Sequence, residues 1–205
     1  MKGGNKMKSI INIRNGYYKK DDKTIISGIN IDIKQGCINF LVGENGVGKS
    51  IIFDIICGVY NLNGGVFNKS ISTQDIIYMP QKLYVPYTLT MTELVDYYSL
   101  LMTNRSFSKL GKDFHPAVIK LLEKLGNTRA SKCSVGEIKL LMASLLLSFH
   151  NAELFVLDEP SSGLSVSNRQ ILKCIVNKKI EQGKTVLMST HIEDDIEYAA
   201  NIIKI

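Results

Sequence analysis

Ten consecutive residues, Leu41-Val42-Gly43-Glu44-Asn45-Gly46-Val47-Gly48-Lys49-Ser50, constrain this chain more than any others. They contain G-x-x-x-x-G-K-[ST], placed after an apolar strand (Cys37 to Val42) and before a helix (Ser50 to Cys57). Glycines let successive backbone N–H groups turn inward and form a concave anion site. The helix that follows aims its positive dipole end at the same place. Gly43, Glu44, Asn45, Gly46, Val47, Gly48, Lys49 and Ser50 are therefore expected to hold a nucleoside triphosphate. Lys49 would reach the β/γ-phosphates and the Ser50 hydroxyl would ligate Mg²⁺. A glycine-rich turn before an ordinary helix is the bland alternative, and the strand–loop–helix context argues against it.

A second stretch supplies the carboxylates such chemistry needs. Leu154-Phe155-Val156-Leu157 is an apolar strand ending in Asp158-Glu159-Pro160. An acidic residue at the carboxyl edge of a parallel sheet is where Mg²⁺ finds its second protein contact. Asp158 fits that part, and Glu159, one residue on, can orient or deprotonate an attacking water.

The rest of the chain reads as α/β. Ser9 to Arg14 and Ile29 to Ile33 alternate apolar and polar residues like half-buried strands, with Tyr17 to Lys23 read as a turn. Asn61 to Gly65 reads as a turn-rich connection, and Ile76 to Met79 as a short strand. Thr90-Met91-Thr92-Glu93 has capping-box spacing before a helix whose predicted apolar face is Leu94, Tyr97, Tyr98 and Leu101. Pro116 to Leu125, stopped by Gly126, and Ser134 to Phe149 are further helices. With no convincing strand between Pro86 and Phe149, about 86–149 reads as a helical subdomain inserted into a single domain spanning 1–205. Strands return at Glu153 to Leu157 and Thr185 to Ser189, with helices at Ser167 to Glu181 and His191 to Ala199. Alternating strands and helices imply a mostly parallel sheet.

Composition narrows the setting. At 205 residues the length suits one domain with a substantial core, and the net charge of +6 is scattered without a long basic run. No direct nucleic-acid contact is therefore expected. Four separated cysteines, Cys37, Cys57, Cys133 and Cys174, form no C-x-x-C pattern and fit a reducing compartment. The opening residues do not read as a signal peptide, and no apolar run reaches membrane-spanning length. A cytoplasmic location is expected, with any membrane role coming through a partner.

Taken together, the motifs resemble the nucleotide-binding subunits of ABC (ATP-binding cassette) proteins, over nearly the whole length. In family order they are the P-loop, Met79-Pro80-Gln81 at the Q-loop, and Cys133-Ser134-Val135-Gly136-Glu137 in place of the signature LSGGQ. Asp158-Glu159-Pro160 at the Walker B end and Ser189-Thr190-His191 at the switch-histidine loop follow. The resemblance implies a P-loop NTPase core with an N-terminal antiparallel β subdomain and an inserted α-helical subdomain. It implies ATP and Mg²⁺ as cofactors. Gln81 would contact Mg²⁺ and the lytic water, and Ser134 and Gly136 would touch the γ-phosphate of ATP on an opposite protomer. Glu159 would be the general base, His191 a γ-phosphate contact, and Tyr18 the adenine-stacking aromatic, although gapless spacing favours Lys20.

Three departures stand out. Val135 replaces a usual glycine, restricting φ and adding bulk near the partner's phosphate. Leu140 stands where an arginine often lies, and is read as removing a surface charge. Ser165 replaces a usual aspartate after Walker B. The function implied is the ATP-hydrolysing subunit of a transporter, dimerising with an identical or related subunit. It would drive a separate integral membrane permease from the inner face of the cell membrane. A soluble ATPase of an assembly or nucleic-acid-linked complex, and a low-turnover ATP-sensing module, are the alternatives.

Overall fold

The computed structural model describes residues 7–103, 114–148, 152–190, 196 and 200–205. The chain divides into two compact units. The first comprises Met1–Tyr78, Asn151–Glu159 and Lys179–Ile205, the second Met79–His150 and Pro160–Lys178.

The first unit is built on two sheets. Strands β1 (Ser9–Lys20), β2 (Lys23–Lys34) and β4 (Gly64–Lys69) form an antiparallel sheet in the order β2-β1-β4. Strands β3 (Ile38–Val42), β5 (Ile76–Met79), β6 (Leu154–Leu157), β7 (Thr185–Ser189) and β8 (Asn201–Lys204) form the second, ordered β5-β6-β7-β3-β8. Within it β3 runs parallel to both β7 and β8, and β6 parallel to β7. Every residue of β6 and β7 is buried, which explains why they read as continuous apolar runs while β1 and β2 alternate. Helix α1 (Lys49–Ile56) buries Ile52, Phe53, Ile55 and Ile56 in a core shared with Ile11 of β1 and Val156 of β6. This α/β architecture is the one the sequence implied.

Two local readings need correction in this unit. Tyr17 to Lys23 is mostly strand, because the hairpin turn needs only Asp21 and Asp22, whose φ values are 47° and 62°. A two-residue turn with both centres left-handed matches strand twist, so the tyrosines and lysines stay in the ladder. Strand β4 went unread because it begins with two glycines. Gly65, at φ 94°, lies so close to β1 that a Cβ would come within 2.4 Å of the Asn15 carbonyl oxygen.

In the second unit, α2 (Met91–Thr103), α3 (Pro116–Leu125) and α4 (Val135–Ser148) pack on one another, and most of α5 (Val166–Glu181) follows. The capping box ahead of α2 forms: the Thr90 N–H donates to Glu93 Oε2 at 2.8 Å, and the Glu93 N–H to Thr90 Oγ1 at 3.3 Å. The buried stripe of α2 differs from the expected one. Met91, Leu94, Val95 and Ser99 are buried, whereas Tyr97 and Leu101 are exposed. Leu140 also corrects its reading, since it is buried at 2% exposure and takes no place on the surface. The expected helix His191 to Ala199 lies outside the described residues apart from Ile196, and Phe149 is outside them too.

Candidate functional site

The P-loop sits between the carboxyl end of β3 and the N-terminus of α1. Gly46 and Gly48 have φ of 83° and 107°, a left-handed region that β-substituted residues avoid, and Gly48 caps α1. Lys49, the first residue of α1, is 7% exposed, and its Nζ donates to the carbonyls of Gly43 (2.7 Å) and Glu44 (2.9 Å). Its charge is thus held over the loop by neutral acceptors. Anionic oxygens bind an ammonium more strongly than carbonyls do. Around it the tip from Glu44 to Val47 is exposed, so a ligand can reach the loop.

The second residue of α1, Ser50, meets the end of β6. Its hydroxyl donates to Asp158 Oδ2 at 2.6 Å. The Ser189 hydroxyl, at the end of β7, donates to Asp158 Oδ1 at 2.5 Å. Asp158 is 2% exposed, so both carboxylate oxygens are fixed in a dry place by partners from two other elements. The same Ser189 Oγ accepts the backbone N–H of Glu159 at 2.9 Å. Glu159 is held at φ 47°, a conformation costing roughly 1–3 kcal/mol for a residue with a Cβ. Strain of that kind gathers at sites whose geometry matters.

Ser189 is the functional residue that sequence reasoning under-read, as part of a loop motif only. Its signal was a polar residue closing the apolar strand Thr185 to Met188, at the sheet edge where ligands bind. Asp54 and Tyr78, hydrogen-bonded to each other, lie close enough to feel the Asp158 charge. Burial raises the Asp54 carboxyl above its usual value, opposed by a hydrogen bond from Tyr78, with the Asp158 charge adding to the rise. Burial likewise raises the Tyr78 phenol, reinforced by the charges of Asp54 and Asp158. The neighbourhood of Asp158 is therefore negative and oxygen-rich. Hard oxygen donors from a hydroxyl and a carboxylate suit Mg²⁺, and a carboxylate accepting two hydrogen bonds still has lone pairs to offer.

Tyr18 does not offer a face for adenine. It is 7% exposed, paired with Ile26 across the hairpin, and its ring packs on Tyr60 with centroids 5.6 Å apart. The alternation of β1 turns this side chain into the core. Lys20, two residues on, is exposed and extends its Nζ over the Tyr60 ring at 5.9 Å. His191 lies outside the described residues.

In the second unit, Gln81 is exposed and lines a pocket of about 350 Å³ with Lys82, Val85, Tyr87, Val135 and Ile138 among its walls. Ser134 precedes α4 and forms a capping box. Its N–H and its hydroxyl both donate to Glu137 Oε2 at 2.8 Å, and the Glu137 N–H returns to Ser134 Oγ at 3.2 Å. Hydrogen bonds from the Ser134 backbone and side chain hold the Glu137 carboxyl below its usual range, so it is ionised near neutral pH. Val135 is the first residue of α4, 70% exposed and without positive φ, so its branched side chain is carried without strain. Gly136 is the constrained position: a Cβ there would lie 2.6 Å from the Gly163 carbonyl oxygen. Ser165 caps α5, its Oγ accepting the Asn168 N–H at 3.3 Å, a duty aspartate performs equally well.

A profile of the ABC transporter family matches residues 26–162. Protein McbF of Escherichia coli is 29% identical over 183 residues, 87% of this chain and 74% of the relative. The lantibiotic transport ATP-binding protein SrtF of Streptococcus pyogenes is 28% identical over 204 residues, 96% of this chain and 85% of the relative. The iron(3+)-hydroxamate import ATP-binding protein FhuC of Bacillus subtilis is 31% identical over 196 residues, 87% of this chain and 71% of the relative. Among solved structures, an ATP-binding subunit of an ABC transporter has a TM-score of 0.80 at 19% identity, covering 96% of this chain and 86% of that one. A fold of this kind, with a P-loop next to a buried aspartate, is that of a P-loop nucleotide-binding domain. The chain belongs to the ABC transporter family, as an ATP-binding and ATP-hydrolysing subunit.

Proposed function

We propose that this subunit binds Mg-ATP at the P-loop of the first unit and closes over it with a second cassette, identical or related. Hydrolysis then releases the pair. The observation that carries the reading is the Ser50–Asp158–Ser189 cluster beside Lys49, which gathers a cation, two hydroxyls and a buried carboxylate at the ends of α1, β6 and β7. The N–H groups of the loop and the start of α1 bind the phosphates, and Lys49 exchanges loop carbonyls for phosphate oxygens. Ser50 and Asp158 would hold Mg²⁺. The ion would neutralise phosphate charge during transfer. Glu159, its backbone fixed by Ser189, accepts a proton from the attacking water. His191 contacts the γ-phosphate, and Ser134 and Gly136 serve the ATP of the other cassette.

Force passes to a separate integral membrane permease, which keeps the subunit on the inner face of the cell membrane. In support, the second unit exposes an apolar set, Tyr84 at 75%, Leu101 at 65%, Tyr87 and Leu100, suited to a permease's cytoplasmic helix. No helix among the described residues is long and apolar enough to cross a membrane. Relatives' names range from lantibiotic transport to import of zinc and of iron(3+)-hydroxamate, so the cargo is assigned to the permease and not to this subunit.

The test is Glu159→Gln. It should retain ATP binding while the hydrolysis rate falls by about 10²- to 10⁴-fold, the span general-base removal commands. Hydrolysis at the unmodified rate would refute the assignment.

A further inference from the structure

Asp54 is a carboxylate at a place where the stability of α1 gives no reason for one. It stands in the last turn of the helix, between the buried pairs Ile52-Phe53 and Ile55-Ile56, and is itself half-buried. Aspartate is a poor helix former, and a negative charge near a helix C-terminus opposes the macrodipole. No basic residue stands in that last turn to offset it. Its position along the helix gives a different account. Asp54 follows Ser50 by four residues, so the two side chains share one face of α1, one turn apart. That face meets two adjacent strands. Ser50 reaches Asp158, just past β6, at 2.6 Å, while Asp54 accepts a hydrogen bond from the phenol of Tyr78 on β5, the strand beside β6. Burial is the chief reason the Asp54 carboxyl is raised; the Tyr78 hydrogen bond opposes the rise and the Asp158 charge adds to it.

We infer that Asp54 is a positioning residue for Mg²⁺: its negative charge, one helical turn behind Ser50, strengthens the hold of Ser50 and Asp158 on the ion. The inference rests on the reading of that pair as the Mg²⁺ ligands. Two carboxylates kept side by side in a partly buried place repel each other, and a divalent cation beside one of them is attracted by both. The Tyr78 phenol, raised chiefly by burial, is uncharged and serves to hold the Asp54 carboxylate in place. A purely structural Asp54 would act through that hydrogen bond alone, as a tie between α1 and β5. Charge and hydrogen bond can be removed one at a time, so the two roles separate.

Asp54→Asn removes the charge and keeps an oxygen that can accept from Tyr78, whereas Tyr78→Phe removes the hydrogen bond and keeps the charge. Calorimetric titration of each purified chain with ATP, with and without Mg²⁺, reads the factor by which the ion strengthens binding. Asp54→Asn should reduce that factor about threefold to tenfold, the scale of one unit charge acting through a partly solvated space. Without Mg²⁺, ATP should bind Asp54→Asn as tightly as it binds the unmodified chain or more tightly, because a negative charge near the phosphates has gone. Tyr78→Phe should keep the factor within about twofold while its thermal midpoint falls, since it loses a tie but no charge. The inference is overturned if Asp54→Asn keeps the unmodified factor, or if Tyr78→Phe loses it to the same extent. Failure of the underlying reading has its own signature. Mg²⁺ would then leave ATP binding unchanged in the unmodified chain, or Asp158→Asn would keep the full factor, and both claims fall.

Discussion

The P-loop with its neighbouring strand ends and the start of α4 are built on opposite plans. At the P-loop and β6, polar side chains hold one another: Ser50 and Ser189 both bind Asp158, and Ser189 also carries the Glu159 backbone. At the start of α4, the Ser134–Glu137 side-chain bonds stay within one turn of helix, and the contacts with the neighbouring turn are made to its backbone carbonyls, by Gly136 and by the Lys139 ammonium. The first plan tolerates little change at any member. The second tolerates change where the helix faces solvent and none where it meets the turn. Val135, at 70% exposure, and Gly136, adjacent to it, are the two extremes.

Substitutions can break this contrast. The largest effect is expected from Gly136→Ala. Its Cβ would overlap the Gly163 carbonyl, a backbone atom that cannot step aside, which puts the cost at or above the upper end of the about 1–3 kcal/mol typical of overpacking. Thermal melting of the purified chain should show the loss, with hydrolysis falling at least as far as stability. Next comes Ser189→Ala. It removes a hydrogen bond to a buried carboxylate, worth about 1.5–3 kcal/mol, and strands the Glu159 N–H. Steady-state kinetics should show kcat falling by roughly tenfold while ATP affinity changes less, because Glu159 is displaced and the P-loop is not. The smallest effect belongs to Val135→Gly, which should leave the hydrolysis rate within about twofold, or raise it, since the side chain makes no strained contact. A collapse in turnover there would mean that valine has an adapted role and that the exposed half of the contrast is wrong.

Much of this was legible in the sequence, for reasons that differ by element. The P-loop and the end of β6 announce themselves because their chemistry needs particular residue types at fixed spacing. The parallel core strands could be read because burial on both faces leaves only apolar residues. What stayed hidden was tertiary. Tyr18 looked available for adenine, but the length of β1 decides which way a tyrosine points, and the hairpin turn occupies only Asp21 and Asp22. Leu140 looked like a lost surface charge because a motif comparison carries no burial. The cation adjacent to it, Lys139, is buried as well. Ser189 needed β6 and β7 to be placed side by side before its hydroxyl could be connected with Asp158.

The central claim is that Asp158 and Ser50 assemble a metal-assisted triphosphate site with Lys49. Calorimetric titration of ATP with and without Mg²⁺, on the unmodified chain and on Asp158→Asn, tests it most directly. The account predicts that Mg²⁺ strengthens ATP binding about tenfold or more in the unmodified chain and has almost no effect in Asp158→Asn, the scale of one charge-assisted contact. Equal Mg²⁺ enhancement in both proteins, or no ATP binding by either, would contradict it.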